Sequence, residues 1–521
     1  MMTEDVRERA SEAGAETAAT PEARESPSWA PRSKRTLLNG ILVVAALLVT
    51  GLCWAVASPV GSSPDDDFHL TSIWCLTAGP DSKCPTKYFI DGTPAVETFV
   101  SLQKACYAGS PALPASCQKL GDQLAFSDRV NDGGYPGGFY RVMNLFASDK
   151  LIWSVLLMRL VNFALFSGLV GATFWLASAR VRRAIALTLP VTLIPVGLFL
   201  VASTNPSSWT VTGIAVLFFA LIALSDTEGA ARAGTLAGLA AIGGGMAAAS
   251  RGDGAAYAVA VSVLAGWLGF PGLRKRPWRF GALVLPIATG GYAYLTATQV
   301  AAYGDSTLGA DWLIPNLLDV VSIPLGNLGL GTLGSLGWLD TAAPALTWAA
   351  MALALSVVLF FGVSELGWHF GLGAAGAATL MLGLPLYMLQ KYGYRVGEFV
   401  QPRYMLPLLI ATVGTVALAA VKRPRSTPQG WMLIAGSVSI AHAAMLYTNL
   451  LRYSNGAASV YPLGMNTQWW WTASTSPLLV FVVGSVAFAA FLVLLFRSLV
   501  ANGAVDAPVV RPGLRESWGA K

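Results

Sequence analysis

Three adjacent carboxylates and a histidine are the residues in this sequence whose types and spacing best suit metal binding or acid–base catalysis. The carboxylates are Asp65, Asp66 and Asp67, and the histidine is His69. Oxygen ligands of this kind could bind a divalent cation such as Mg²⁺, Mn²⁺ or Ca²⁺. Alternatively, crowded like charges raise the pKa of one carboxyl group, which suits a general base near neutral pH. A solvated acidic turn would explain the same residues, and the spacing leaves these interpretations open.

Positively charged residues at the ends of apolar segments are the second candidate group. Several guanidinium groups converging at one membrane boundary would neutralise a phosphate, with bidentate contacts where the geometry allows. Each cation alone could instead extend toward lipid headgroups or pair with a nearby acid. The residues concerned are Arg251, Lys391, Arg395, Arg403 and Arg452.

The composition excludes most soluble classes of protein. Of 521 residues, 54% are hydrophobic and 12% are charged, and the mean hydropathy is +0.57. A soluble domain carries about 25% charged residues. The chain is therefore neither a disordered protein, nor a nucleic-acid-binding domain, nor an ordinary cytosolic enzyme. The net charge of +6 is concentrated in short clusters between apolar runs, as expected for membrane helices rather than for nucleic-acid binding.

Apolar runs of about 20 residues predict an all-α polytopic membrane protein with about 12 transmembrane helices. They lie at about 37–57, 151–178, 184–203, 209–225, 233–250, 254–271, 280–298, 345–363, 370–390, 404–421, 430–450 and 477–496. Basic clusters precede the first span and recur in alternate connections, which places both termini in the cytoplasm. We expect a disordered cytoplasmic tail at 1–36, a transmembrane domain at 37–498 and a cytoplasmic tail at 499–521. Residues 299–344 form one outward segment.

Residues 58–150 form the longest predicted extracytoplasmic loop, and four of the five cysteines lie in it. An even number of cysteines in an oxidising compartment suggests disulfides. We pair Cys75 with Cys84 and Cys106 with Cys117, although four cysteines allow three connectivities. These bonds would staple a loop that lacks enough hydrophobic core of its own.

Short motifs in this order resemble the GT-C superfamily of membrane glycosyltransferases. More narrowly, the chain is similar to a largely uncharacterised group of bacterial GT-C-like membrane proteins. Four motifs of that group, Pro-Asp-Glu-x-x-His, Tyr-Pro-Pro-x-Tyr-Tyr, Asn-Pro-Ser and Arg-Tyr-x-x-Pro, are matched by 64–69, 135–140, 205–207 and 403–407. Asp66 replaces the usual Glu, and Gly137 and Gly138 stand where Pro and a larger residue are common.

The resemblance implies a GT-C-like fold in the bacterial plasma membrane, with an extracytoplasmic active site. The implied activity is inverting transfer of a sugar from a polyprenyl-phosphate donor to a cell-envelope glycan or lipid. Asp66 or Asp65 would be the general base, with His69 beside it, and some relatives use a metal. The donor's lipid phosphate would be bound by Arg403, Tyr404, Arg251, Lys391 and Arg395. The acceptor or the sugar would contact Asp67, Tyr135, Tyr140 and Asn205.

Two other classes of function compete with this one. Twelve spans is also a common count for transporters, so a membrane transporter of an envelope precursor is one alternative. Against a transporter, no six-plus-six symmetry is visible, and the centres of the spans lack the ionisable residues that a coupled carrier needs. A non-catalytic envelope scaffold, whose disulfide-stapled loop binds a partner, is the third interpretation.

Overall fold

The protein is described by a computed structural model that covers residues 34–100, 105–120, 124–297, 312–421, 428–471 and 476–501. These residues are mostly helical. Their helices are α1 Lys34–Val56, α2 Asp66–Cys75, α3 Gly138–Asn144, α4 Leu151–Leu176, α5 Ala179–Leu193, α6 Val196–Val201, α7 Ser207–Asp226, α8 Ala230–Ser250, α9 Gly252–Leu273, α10 Gly281–Thr296, α11 Leu313–Asp319, α12 Ser322–Gly326, α13 Ala345–Val363, α14 Trp368–Tyr392, α15 Pro402–Ala420, α16 Pro428–Ser454 and α17 Pro477–Ala501.

Within the described ranges, ten helices are long and apolar enough to cross a membrane. They are α1, α4, α7, α8, α9, α13, α14, α15, α16 and α17. The polytopic, helical architecture is therefore confirmed. The two remaining predicted spans correspond to shorter helices. The span at 184–203 is divided into α5 and α6 around Pro195, which has no N–H to continue a helix, and α10 has 16 residues. The count of twelve stays a prediction.

Two helices lie at the centre of the bundle. Every residue of α7 from Ser207 to Ser225 is buried, and α15 is almost as fully enclosed. Helix α7 packs closely on α8, where a Cβ atom added at Gly213 would lie 2.4 Å from the carbonyl oxygen of Gly243. Small residues of this kind let membrane helices approach backbone to backbone.

We call one end of the bundle the loop end, because the connection between α1 and α4 forms a small domain there. It contains α2, α3 and an antiparallel sheet of β1 Thr86–Tyr88, β2 Pro94–Thr98 and β3 Ala125–Ser127. The short hairpin of β4 Ser335–Leu336 and β5 Thr341–Ala342 lies against it. Both predicted disulfides are confirmed, Cys75–Cys84 and Cys106–Cys117.

The predicted tails fall largely outside the described residues. Helix α1 begins at Lys34, within the tail predicted at 1–36, and α17 continues to Ala501. The predicted outward segment at 299–344 is described from residue 312, and it contains α11, α12 and the β4–β5 hairpin rather than irregular loop alone.

Candidate active site

The segment that joins α1 to α2 is fixed by hydrogen bonds to its backbone. The guanidinium of Arg159, on α4, is completely enclosed and donates to the carbonyls of Ala55, Ser58 and Pro59 at 2.9, 2.6 and 2.7 Å. A charged donor that satisfies three carbonyls in a buried region binds its segment strongly.

Side chains from other parts of the chain bind the remaining carbonyls of this segment. The pairs are Trp471 to Val56, Asn449 to Ala57, Tyr107 and Gln118 to Val60, Trp338 to Gly61, and Asn205 to Pro64. Every backbone carbonyl from Ala55 to Gly61 thus accepts a hydrogen bond from a side chain. These side chains, which come from several parts of the chain, together set the position of Asp65, the residue after Pro64.

Asp65 is the exposed aspartate of the acidic group. It is the N-cap residue of α2, with a left-handed backbone at φ 59°, and its side chain is 38% exposed. A non-glycine residue at positive φ is uncommon and persists where its surroundings hold it. Its carboxylate accepts hydrogen bonds from Arg403 at 2.8 Å and from Arg129 at 3.4 Å.

Asp66 points into the protein instead. It is fully buried, and its two oxygens accept hydrogen bonds from the Ser63 backbone N–H at 3.0 Å and from the Thr204 hydroxyl at 2.9 Å. Burial raises the pKa of its carboxyl group to about 7. The sequence left the general base open between Asp66 and Asp65; only Asp65 presents a carboxylate to the surface of the site.

Asp67 is held by Arg129, a residue that the sequence analysis missed. The Nε and Nη2 atoms of Arg129 donate to the two oxygens of Asp67 at 3.0 and 3.2 Å. Arg129 therefore bridges Asp67 and Asp65. Because it follows β3 inside the long loop, a search for cations at the ends of apolar helices could not find it.

Two guanidinium groups meet at the ring of Tyr404. The Arg403 and Arg251 guanidiniums lie 4.9 and 4.7 Å from its centroid, and Arg403 also donates to the Tyr404 hydroxyl at 3.2 Å. Gln401 accepts a further hydrogen bond from Arg403, and Asp253 accepts two from Arg251, at 2.8 and 3.1 Å. Three elements, α2, the α8–α9 corner and α15, thereby form one charged cluster.

The cations around Asp65 control its ionisation. Burial works to raise the pKa of its carboxyl group, but Arg403 together with Arg129 and Arg251 outweighs burial and holds the pKa below its ordinary value. Asp65 is therefore ionised at neutral pH.

The predicted aromatic and histidine residues pack together behind this cluster. His69 is buried, and its Nδ1 atom lies 2.9 Å from the Tyr140 hydroxyl. Burial lowers the pKa of His69 to about 3, so its ring is neutral. Tyr135 lies between the His69 ring and the Arg251 guanidinium, at 5.6 Å from each. His69 thus positions Tyr140 and does not itself reach the surface of the site.

Three further predicted contact residues have other roles or positions. Asn205 is fully buried, donates to the Pro64 carbonyl at 2.8 Å and accepts from the Ser207 N–H at 2.9 Å, so it supports the site and does not face a ligand. Lys391 and Arg395 are exposed near the C-terminal end of α14. The Arg395 guanidinium stacks 4.6 Å from the ring centroid of Trp312. The sequence alone does not show where these three side chains lie in the fold.

The three aspartates do not form a metal site. Asp66 faces the interior, and a guanidinium stands between Asp65 and Asp67, where a cation would have to bind. Throughout the described part of the chain, no group of three or more His, Cys, Asp or Glu residues could hold a metal ion. These residues therefore do not fit the divalent cation that the sequence allowed.

Comparison with known proteins finds a family match. The profile of a family described as "Predicted membrane protein (DUF2142)" matches residues 48–412, well over half of the chain and a range that includes every member of the charged cluster. No curated protein matches the chain. The match agrees with the ten candidate spans, and the chain is a membrane protein.

Proposed function

The chain belongs to the DUF2142 family of predicted membrane proteins, and we propose that it acts as a membrane glycosyltransferase of the GT-C kind. It moves a sugar from a polyprenyl-phosphate donor to a cell-envelope glycan or lipid on the extracytoplasmic side of a bacterial plasma membrane. The loop end is the extracytoplasmic end. The observation that carries the proposal is the partly exposed Asp65 carboxylate paired with the buried Arg403 guanidinium at 2.8 Å.

The donor phosphate binds beside Tyr404, where it meets both Arg403 and Arg251. Arginine suits this task because its planar guanidinium pairs with phosphate oxygens and stays charged. The side chains of Arg403 and Arg251 are only 4% and 6% exposed. In such a poorly hydrated place their attraction for a phosphate is stronger than it would be in water.

Donor binding changes the partners of Asp65. A phosphate that draws Arg403 to itself removes a cation that holds the pKa of Asp65 low. The pKa of Asp65 then rises, and the carboxylate becomes a stronger base once the donor is in place. Arg129 remains paired with Asp67 and keeps α2 oriented.

Transfer proceeds as a single displacement. The acceptor hydroxyl gives its proton to Asp65 while its oxygen attacks the anomeric carbon. The bond from that carbon to the phosphate oxygen breaks, and the electron pair stays on the phosphate. Arg403 and Arg251 stabilise the charge that develops there. The products are an inverted glycoside, polyprenyl phosphate and a protonated Asp65.

Native mass spectrometry with a panel of polyprenyl phosphates tests donor binding. The parent protein should retain a polyprenyl phosphate, and Arg403→Ala should lose it. Arg395→Ala is the matched control, because that arginine stacks on Trp312 and should leave retention unchanged. Equal retention by Arg403→Ala, or no retention by the parent where a known lipid-phosphate enzyme does bind, would reject the donor site in favour of a transporter or a scaffold.

A further inference from the structure

A stripe of exposed apolar side chains runs along α11 and ends at Val321, just before α12. Its members recur at helical spacing on one side of the chain, which is the pattern of an amphipathic surface. They are Leu313, Ile314, Leu317, Leu318 and Val321, with exposed fractions of 46, 63, 55, 73 and 48%. We call these five residues the apolar stripe. Soluble surfaces rarely expose so much contiguous apolar area without a partner.

Buried asparagines hold the segment against the connection from α14 to α15 and the start of α15. Asn316 is buried, donates to the Tyr394 carbonyl at 2.9 Å and accepts from the Val396 N–H at 3.0 Å. Asn327 donates to the Pro402 carbonyl at 2.6 Å, one residue before Arg403. The orientation of the apolar stripe is therefore fixed relative to the charged cluster.

Neighbouring residues indicate which partner the stripe contacts. Trp312 precedes it with the Arg395 guanidinium 4.6 Å from its ring centroid, and Tyr387 and Tyr394 of the adjoining α14 region are 62 and 42% exposed. A partly buried tryptophan, exposed tyrosines and an arginine beside them are typical of the level where a membrane meets water. The stripe thus adjoins exposed aromatic residues at the end of α14 and just after it.

We propose that α11 lies in the membrane interface and that the apolar stripe contacts lipid hydrocarbon. The segment does not cross the bilayer; it lies along it, as an amphipathic helix does. Contact with lipid removes these large apolar side chains from water, which stabilises this placement. The inference does not depend on the proposed enzymatic activity.

Spin labelling in vesicles tests the contact. A Cys53→Ala background removes the one free thiol of the described residues and keeps both disulfides. A nitroxide label is attached to the cysteine of Leu318→Cys, and the labelled protein is reconstituted into vesicles of phosphatidylethanolamine and phosphatidylglycerol. Leu317→Cys provides a second labelled site on the stripe. Phe360→Cys, on the exposed side of the membrane helix α13, is the lipid control, and Asp91→Cys, in the β1–β2 turn, is the water control.

The measurement compares collisions of each label with oxygen, which concentrates in hydrocarbon, and with a water-soluble nickel chelate. We expect oxygen to relax the labels at both stripe positions several-fold more than the chelate does, as for Phe360→Cys. Accessibility to the chelate equal to that of Asp91→Cys would overturn the proposal, because the stripe would face water. Labels shielded from both reagents would also overturn it, because a second copy or another protein would cover the stripe.

Discussion

The carboxylate of Asp65 and the guanidinium of Arg403 are joined by a 2.8 Å hydrogen bond, although 338 positions separate them along the chain. The pair links the first turn of α2 to the first turn of α15. One partner is partly exposed and the other is almost fully enclosed. A ligand that competes for Arg403 therefore acts directly on Asp65, and the proposed mechanism rests on that exchange.

Asp66→Asn should change the pH dependence of stability without removing the fold. The amide can accept from the Ser63 N–H and donate to the Thr204 hydroxyl, so both contacts have a replacement. Because the folded pKa of Asp66 is raised to about 7, the folded state binds an extra proton between the unfolded and folded pKa values. The free energy of unfolding of the parent therefore falls by up to about 4 kcal/mol as pH rises through that window.

Thermal unfolding in detergent, from about pH 5 to about pH 8, measures this effect. The melting temperature of Asp66→Asn should rise relative to that of the parent as pH increases. A difference that stays constant across the range would show that Asp66 is not the group that titrates.

Arg159→Met should destabilise the protein strongly. Three carbonyls, those of Ala55, Ser58 and Pro59, would lose their charged donor in a buried region. We expect a loss of at least about 3 kcal/mol, seen as a lower melting temperature. Arg141→Met, at an exposed position of α3, is the control and should cost less than about 0.5 kcal/mol. Equal effects of the two variants would contradict the assigned role.

Arg129→Ala should shift the pH profile of transfer. Without Arg129, Asp65 loses one of the cations that hold its pKa low, so its pKa rises. A base works only when deprotonated, so the acidic limb of the rate profile should move to higher pH, with donor binding retained through Arg403. Arg141→Ala should leave the limb in place. If the acidic limb of the rate profile of Arg129→Ala stays at the same pH as in the parent, ionisation of Asp65 does not determine that limb.

Thiol counting checks the disulfide framework. The chain has five cysteines, of which Cys75, Cys84, Cys106 and Cys117 are paired and Cys53 is free. Denatured protein should take up one alkylating label per chain without reductant and five after reduction. Incorporation of three or five labels before reduction would contradict one or both disulfides.

Much of the candidate site could be predicted from the sequence, because membrane spans and short motifs are local signals. Asp65 lies in the first motif, Arg403 and Tyr404 are adjacent in the last, and Arg251 is one of the cations at the helix ends. The structure brings these residues together. Both predicted disulfide pairs are confirmed, although four cysteines allow three connectivities. Hydropathy located the ten long helices, since each requires an uninterrupted apolar run.

The remainder depends on contacts that local patterns do not contain. Asp66 points inward, where it accepts a hydrogen bond from Thr204, 138 positions later in the chain. Asn205 donates to the backbone carbonyl of Pro64 and so does not face a ligand. Arg129 lies in a loop whose fold the sequence does not specify. Apolar residues at helical spacing in α11 are too few to separate an interfacial helix from an irregular loop.

The most direct test is a transfer assay with purified protein, a panel of polyprenyl-phosphate sugars and cell-envelope extracts as the source of acceptor. The parent and Asp66→Asn should both release polyprenyl phosphate and label the acceptor, and Asp65→Asn should do so at least about 10²-fold more slowly while keeping its fold and its bound donor. If Asp65→Asn transfers sugar as fast as the parent, Asp65 is not the base. If no donor is turned over by the parent, the transferase proposal itself is contradicted.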